Sequence, residues 1–300
     1  MTEHASKYDH WAWLYNQTLG PKYSSQKIAA MEKIVLPHIP VNGKILDLCC
    51  GTGQLVSTLL KRGYDVVGLD GSSDMLRYAQ QNAPDAMFVE GDARNFTLDN
   101  DFDCVVCTSA SLNHMQQSDD LRGVFASVNR CLKTGGIFVF DVNHPAQMER
   151  YWRGRTMEGE ITAEHAWSIT PDYDPTTRQG SFTVDIYRRE KGSRRHPLKR
   201  LIEKTVGLKV LWRRRIALLS RYNRFRPDWG HRRVVNSVWG HELETLQKLL
   251  RDNGFEAEAR STDGGPINDT HSIYFFCRKT STVKEKANKP LRNAAEEVSA

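Results

Sequence analysis

Between Lys44 and Val142 the chain alternates short, continuously apolar runs with stretches whose apolar residues recur every three or four positions. An apolar run without polar alternation offers no face to water, which suits a strand covered on both sides in a parallel sheet. The runs Lys44 to Cys49, Asp65 to Leu69, Ala86 to Val89, Asp103 to Thr108 and Ile137 to Val142 read as such strands. Helices are expected between them over Gln54 to Arg62, Ser73 to Asn82 and Asp119 to Leu132, with Ser73 or Ser118 as an N-cap. This order predicts an α/β fold: a Rossmann-like, doubly wound, mostly parallel sheet with helices on both faces.

After Asn143 the alternation stops. Glu164 to Thr170 and Ser181 to Arg188 read as strands joined by a turn over residues 174–180, with a third strand at Val234 to Trp239. An antiparallel lid insertion is therefore expected over residues 146–238. The α/β pattern resumes with a helix at His241 to Asp252, stopped by Asn253-Gly254. Strands at Phe255 to Arg260 and Ser272 to Arg278 bring the sheet to seven, in a domain made of residues 43–145 and 239–279. The polar residues 280–300 have no apolar periodicity and read as a disordered tail.

A chain of 300 residues with 39% hydrophobic and 26% charged residues can bury a sizeable core. No run of eighteen apolar residues occurs, and the first residues lack the layout of a signal peptide, so a cytoplasmic protein is expected. The six cysteines are scattered and read as reduced core residues. Cys104-x-x-Cys107 has no second half with which to hold zinc, so no metal is expected. The net charge of +6 is unevenly spread: residues 188–233 hold 17 Lys or Arg against three Asp or Glu, which leaves the remainder acidic.

The segment that carries most chemistry is Ile45-Leu46-Asp47-Leu48-Cys49-Cys50-Gly51-Thr52-Gly53, a strand running into a glycine turn that opens a helix. Gly51 and Gly53 let the backbone turn tightly and approach a ligand at the carboxyl end of the first strand. The second strand ends in Leu69-Asp70, which places a carboxylate where it can accept both hydroxyls of a ribose, and the third ends in Glu90-Gly91-Asp92. A nicotinamide dinucleotide uses the same strand, turn and acid, but its fingerprint wants a small residue where Val56 stands and gives no role to Asp47 or Asp92. S-adenosylmethionine has no pyrophosphate and carries a sulfonium and an α-ammonium, which suit an acidic rim.

On these residues the chain resembles the class I, seven-stranded methyltransferases of small-molecule type, over about Tyr8 to Asn143 and Trp239 to Arg278. The family's first motif is an acid followed by glycines at alternate positions; here it reads Asp47-x-Cys49-x-Gly51-x-Gly53, with Cys49 where the first glycine is usual. The resemblance implies that S-adenosyl-L-methionine is the cofactor. It implies that Cys49, Gly51 and Gly53 line the methionine moiety with Asp47 near its amino group, that Asp70 holds the ribose, that Met75 packs on the adenine, and that Asp92 and Ala93 meet the adenine's amino edge. It also implies that residues 1–42 form a helical cofactor lid, with Tyr15 and Tyr8 reaching the ligand.

Methyl transfer is an in-line displacement at a carbon already activated by the sulfonium, so alignment and exclusion of water are the main demands. A base is needed only when the acceptor arrives protonated. The fourth strand ends in Thr108-Ser109-Ala110-Ser111-Leu112-Asn113-His114, at the same sheet edge. His114 is the candidate base because imidazole titrates near neutrality. Ser109 is assigned to the cofactor, and Asn113, His114 and Asn143 to the acceptor, with Asp141 a second choice.

Residues 198–222 interleave apolar positions with Lys and Arg and read as helical with a cationic face, interrupted at Gly207. Three uses are open: a solvated insertion, peripheral contact with an anionic membrane serving a lipid-like acceptor, or RNA binding, the last disfavoured because the rest of the chain is acidic. The expectation is thus a methyltransferase acting on an O, N or C of a small-molecule or lipid-like acceptor. An RNA methyltransferase and a silent S-adenosyl-binding protein are the alternatives.

Overall fold

A computed structural model describes residues 8–99, 101–190, 196–261 and 266–280. Its strands are β1 (Lys44–Leu48), β2 (Asp65–Asp70), β3 (Met87–Glu90), β4 (Phe102–Cys107), β5 (Leu132–Val142), β6 (Glu158–Ile161), β7 (His165–Asp174), β8 (Gln179–Arg189), β9 (Trp229–Trp239), β10 (Phe255–Ser261) and β11 (Ile273–Lys279). The α-helices are α1 (Ala12–Gln17), α2 (Leu19–Ile34), α3 (Gln54–Leu60), α4 (Ser73–Asn82), α5 (Ser118–Cys131), α6 (Pro145–Tyr151), α7 (Pro197–Val206), α8 (Trp212–Leu219), α9 (Tyr222–Phe225) and α10 (Leu243–Asp252).

Seven strands form one sheet in the order β10-β11-β5-β4-β1-β2-β3. All neighbours are parallel except β11, which runs antiparallel to both β10 and β5. From β1 the chain builds outward through β2 and β3, then crosses to the other side of β1 to lay down β4. The carboxyl ends of β1 and β4 are therefore the topological switch point, where a crevice opens because neighbouring connections leave in opposite directions. Helices cover both faces. Leu46, Val105 and Phe138 pack with Leu121 and Phe125 of α5 and Leu246 and Leu250 of α10. Ile45, Cys104 and Val106, of opposite parity, pack with Ile28 and Met31 of α2 and Leu55 and Leu59 of α3.

The insertion forms a separate antiparallel sheet, β6-β7-β8-β9. Strand parity gives it two apolar faces. Trp167, Val184, Ile186 and Val234 meet Trp11 and Leu14 of the N-terminal segment and Leu19 of α2. Ala166, Tyr187 and Trp229 meet Val206, Leu219 and Tyr222 of the basic segment. The N-terminal residues thus lie between the two sheets.

Several boundaries differ from expectation for identifiable reasons. The caps of α4 and α5 are Ser72, whose hydroxyl accepts from the Met75 amide at 3.1 Å, and Gln117, which forms a reciprocal capping box with Asp120; each precedes the serine expected. β3 is an edge strand, so Met87 is exposed rather than buried. β5 begins at Leu132, because pairing with Phe102 carries the strand through Gly135-Gly136 with a register shift. β9 starts at Trp229 rather than Val234, and β6 was not foreseen: four residues give too little alternation to read. The basic segment is three short helices and a 3₁₀ turn, Lys209–Leu211, broken after Val206 and again at Ser220-Arg221. All six cysteines are free, and no metal-binding cluster is found among the described residues. Apart from Thr280, the tail lies outside the described residues.

Candidate active site

The carboxyl ends of β1 and β4 open into a cavity of about 500 Å³ walled by the sheet edge, the N-terminal segment and the inner face of the lid. From the sheet edge come Asp47, Cys49, Gly51, Asp70, Ser109, Asn113, His114 and Asn143; Met75 comes from α4, Tyr8 and Tyr15 from the N-terminal segment, and Ile169 and Phe182 from the lid.

The turn after β1 is wound unusually tightly. Cys49, Gly51 and Gly53 have φ of +60°, +55° and +73°. A methyl on Gly51 would face Tyr15 across 3.6 Å, on the open side, whereas one on Gly53 would come within 2.9 Å of Ala79 in α4. Gly51 therefore leaves room at the cavity, and Gly53 serves the close packing of α3 on α4. Cys49 occupies the left-handed region where glycine is easiest, at a cost of roughly 1–2 kcal/mol.

Two carboxylates face this turn. Asp70 accepts the Gly51 amide at 2.8 Å on one oxygen and the Ser72 amide at 2.9 Å on the other, so it both sets the turn and keeps lone pairs for a ligand. Burial raises its pKa, partly offset by those amide bonds. Asp47 is 2% exposed, and its Oδ2 is buried without a hydrogen-bond partner. Burial first, then the Asp70 charge, push its carboxyl up to about 8. An unpaired buried carboxyl costs several kcal/mol, so this one is built for a cationic partner.

Beyond β4 the backbone turns through Ser109 (φ +66°) and Ala110 (φ +57°), two consecutive left-handed residues that are not glycine, into the 3₁₀ turn Ser111–His114. The Ser109 side chain bonds Tyr15, whose pKa burial raises well above that of a free phenol. His114 Nδ1 lies 3.2 Å from the Ser237 carbonyl and Nε2 lies 3.0 Å from the Tyr8 hydroxyl. A carbonyl only accepts, so Nδ1 donates, and in the uncharged form of the ring Nε2 is then the acceptor for the Tyr8 hydroxyl. Phe182 and Tyr8 each meet the ring edge-on, at 5.8 and 5.7 Å.

Asn113 lines the cavity, but its polar atoms are committed. It donates to the Asn143 and Trp239 carbonyls at 2.8 and 2.7 Å and accepts the Asn143 amide at 3.0 Å. It fastens the end of β5 and the end of the lid to the β4 turn. Gly53, Asp92 and Ala93 are not among the cavity-lining residues: Asp92 is exposed and paired with Arg94, and Ala93 is in the core. Sequence reasoning missed Lys27, which lines the cavity from α2 and pairs with buried Asp141 at 2.7 Å. Burial lowers the lysine's pKa but the Asp141 charge outweighs it, so Lys27 stays protonated. It also missed Tyr23, Trp152, Met157, Glu158, Pro171 and Val238, which line the same cavity. These share no spacing with the sheet motifs and meet them only through tertiary folding.

The profile of the methyltransferase-domain family matches residues 45–136. A protein of Geobacillus sp. (strain WCH70) named as a methyltransferase is 32% identical over 244 residues, 79% of this chain and 84% of the relative. The chain belongs to the class I S-adenosylmethionine-dependent methyltransferases. A named methyltransferase of Bacillus subtilis (strain 168) is 41% identical over 115 residues, but the match spans only about half of that relative, 47%. The dTDP-3-amino-3,4,6-trideoxy-alpha-D-glucopyranose N,N-dimethyltransferase of Streptomyces venezuelae is 31% identical over 54% of this chain and 63% of its own. The crystal structure of an S-adenosylmethionine-dependent methyltransferase from Clostridium acetobutylicum shares the fold, with a TM-score of 0.66 at 18% identity over 92% of this chain and all of that one.

The cofactor of such a methyltransferase fits the residues present. Its α-ammonium would answer the unpartnered Asp47 oxygen, the open side of Gly51 would admit its backbone, and Asp70 would retain acceptor capacity for the ribose hydroxyls. Met75, buried beside them, offers an apolar face. Among the described residues no helix is long and apolar enough to cross a membrane.

Proposed function

We propose that the protein transfers a methyl group from S-adenosylmethionine to an amine or hydroxyl of a small organic acceptor held between the sheet edge and the lid. S-adenosylmethionine supplies an electrophilic methyl on a sulfonium. The residues of the chain supply the rest. Asp47, Gly51 and Asp70 bind the donor, and Tyr8, Tyr15 and Trp11 screen the site from water. The acceptor faces Trp152, Met157, Ile169, Pro171 and Phe182, a largely apolar wall interrupted by Glu158.

The observation that carries this reading is the His114–Tyr8 pair in the same cavity as the Gly51 turn. Because the Ser237 carbonyl fixes the Nδ1 proton, the basic lone pair of His114 lies at Nε2. An acceptor N–H or O–H replacing the Tyr8 hydroxyl at Nε2 would give up its proton there as the new bond to carbon forms. Tyr8 cannot be that base, since burial holds its phenol protonated. Relatives named as sugar N,N-dimethyltransferases favour an amine.

The test is release of S-adenosylhomocysteine on incubation with small amines, amino sugars, their nucleotide conjugates, alcohols and RNA transcripts. Turnover with an amine, with kcat in His114→Gln about a hundredfold lower and the donor KM unchanged, is the expected result. Turnover on RNA alone, or tight donor binding with no turnover on any acceptor, would replace this reading with one of the alternatives.

A further inference from the structure

The segment from Pro197 to Phe225 is not consumed by the site. Its inner side is bound to the lid: Val206, Leu219 and Tyr222 pack on Ala166, Tyr187 and Trp229. A buried ion pair between Glu203 and Arg226, 3.1 Å apart, pins α7 to the residues before β9. The outer side is unusual for a surface. Leu198, Leu201 and Ile202 project outward from α7 at helical spacing, and Leu208, Val210 and Trp212 continue the ridge. Their exposures reach 70% at Leu198, 61% at Leu201, 84% at Val210 and 51% at Trp212. Half of the large apolar residues exposed among the described residues thus fall within 198–212. A ridge of aliphatic side chains left in water needs a partner or costs solubility.

Charge identifies the partner. Arg200, Lys204, Arg213, Arg214, Arg221 and Arg224 belong to the same segment, are exposed, and have no carboxylate ion-pair partner among the described residues. Trp212 stands beside Arg213, with the guanidinium 5.6 Å from its ring. Aliphatic side chains with an interfacial tryptophan and flanking arginines match a bilayer, whose hydrocarbon takes the ridge while its headgroups take the cations. A nucleic acid would use the cations and leave the ridge exposed.

We propose that the outer face of α7, the 3₁₀ turn and α8 docks on an anionic lipid bilayer. The docked face lies one strand from the active site. Glu158 of β6 lines the cavity, and on the next residue, Gly159, a Cβ would stand 2.6 Å from Leu219 of α8. Docking therefore holds the β6 edge of the cavity near the membrane surface, within reach of an acceptor that partitions there. The proposal does not depend on which atom is methylated.

The experiment is co-sedimentation of the full chain with vesicles of phosphatidylcholine mixed with phosphatidylglycerol, and of phosphatidylcholine alone, over a range of salt. Binding should be at least about tenfold stronger to the anionic vesicles and weaken with salt. Leu201→Asp with Val210→Asp should lower it about a hundredfold, and Arg213→Gln with Arg214→Gln about tenfold. These residues are exposed and outside the site, so S-adenosylhomocysteine binding should be unchanged and reports that each variant is folded. Three results would overturn the proposal: no vesicle binding at low salt; binding retained in the Leu201→Asp, Val210→Asp variant and matched by binding to an RNA homopolymer; or a wild-type dimer in sedimentation velocity that this variant dissolves.

Discussion

Replacing Asp47 by Asn should stabilise the ligand-free protein and weaken its donor binding together. Burial, with the Asp70 charge behind it, moves the Asp47 carboxyl from 3.8 to about 8. At pH 7 the folded chain therefore keeps a proton that the unfolded chain has released. A raised acid pKa contributes stability that is complete below the unfolded value and is lost as pH climbs toward the folded value. At about 1.4 kcal/mol per pH unit, roughly 4 kcal/mol present below about pH 4 is gone at pH 7, and the loss levels off near pH 8. Asparagine keeps the shape and removes the titration. With about 2–4 °C in Tm per kcal/mol for large domains, the ligand-free variant should melt about 10 °C above wild type at pH 7, and the gap should close below about pH 4. The same change removes the charge facing the donor's ammonium, so S-adenosylhomocysteine affinity should fall by about 2–4 kcal/mol, roughly 30- to 1,000-fold. Thermal melts across pH and calorimetric titration in buffers of differing ionisation enthalpy read both. The wild type should release close to one proton on binding at pH 7, and the variant none. A variant that melts lower at pH 7 and binds S-adenosylhomocysteine as tightly as wild type would refute the reasoning.

Other positions separate structural from binding roles. Asn113→Ala leaves two carbonyls and an amide unpaired beside the cavity, so unfolding in urea should show a loss of about 3–5 kcal/mol; a change confined to acceptor KM would instead make it a substrate contact. Cys49→Gly relieves a left-handed residue, and a gain of about 0.5–1 kcal/mol is expected from denaturant midpoints with donor affinity unchanged. Glu203→Ala removes the nearer carboxylate from the buried Arg226 guanidinium, leaving Asp228 at 3.6 Å, and should cost about 3 kcal/mol, seen as a lowered Tm.

What the sequence determined by itself is what repeats locally. Period and apolar content fixed the central strands and helices, since a buried parallel strand and an amphipathic helix each advertise their surroundings within a few residues. The cavity-lining residues at the strand ends were legible for the same reason: Asp47, Gly51, Asp70 and the Ser109–His114 turn follow the strands that carry them, and topology sends those ends to one edge. Tertiary structure alone decided the rest. Gly53 and Gly51 look alike in the sequence, yet one faces Ala79 and the other Tyr15, a distinction made by how α4 packs. Asn113 looked like an acceptor contact until the ends of β5 and β9 occupied its amide. His114 acquired a defined tautomer only from the Ser237 carbonyl, more than a hundred residues away, and Tyr8 from the opposite end of the chain. The lid side of the cavity was illegible because it comes from strands whose two faces are both apolar. Periodicity marks such strands as buried but cannot say which face meets the N-terminal segment and which the basic helices, because that choice is made by long-range packing.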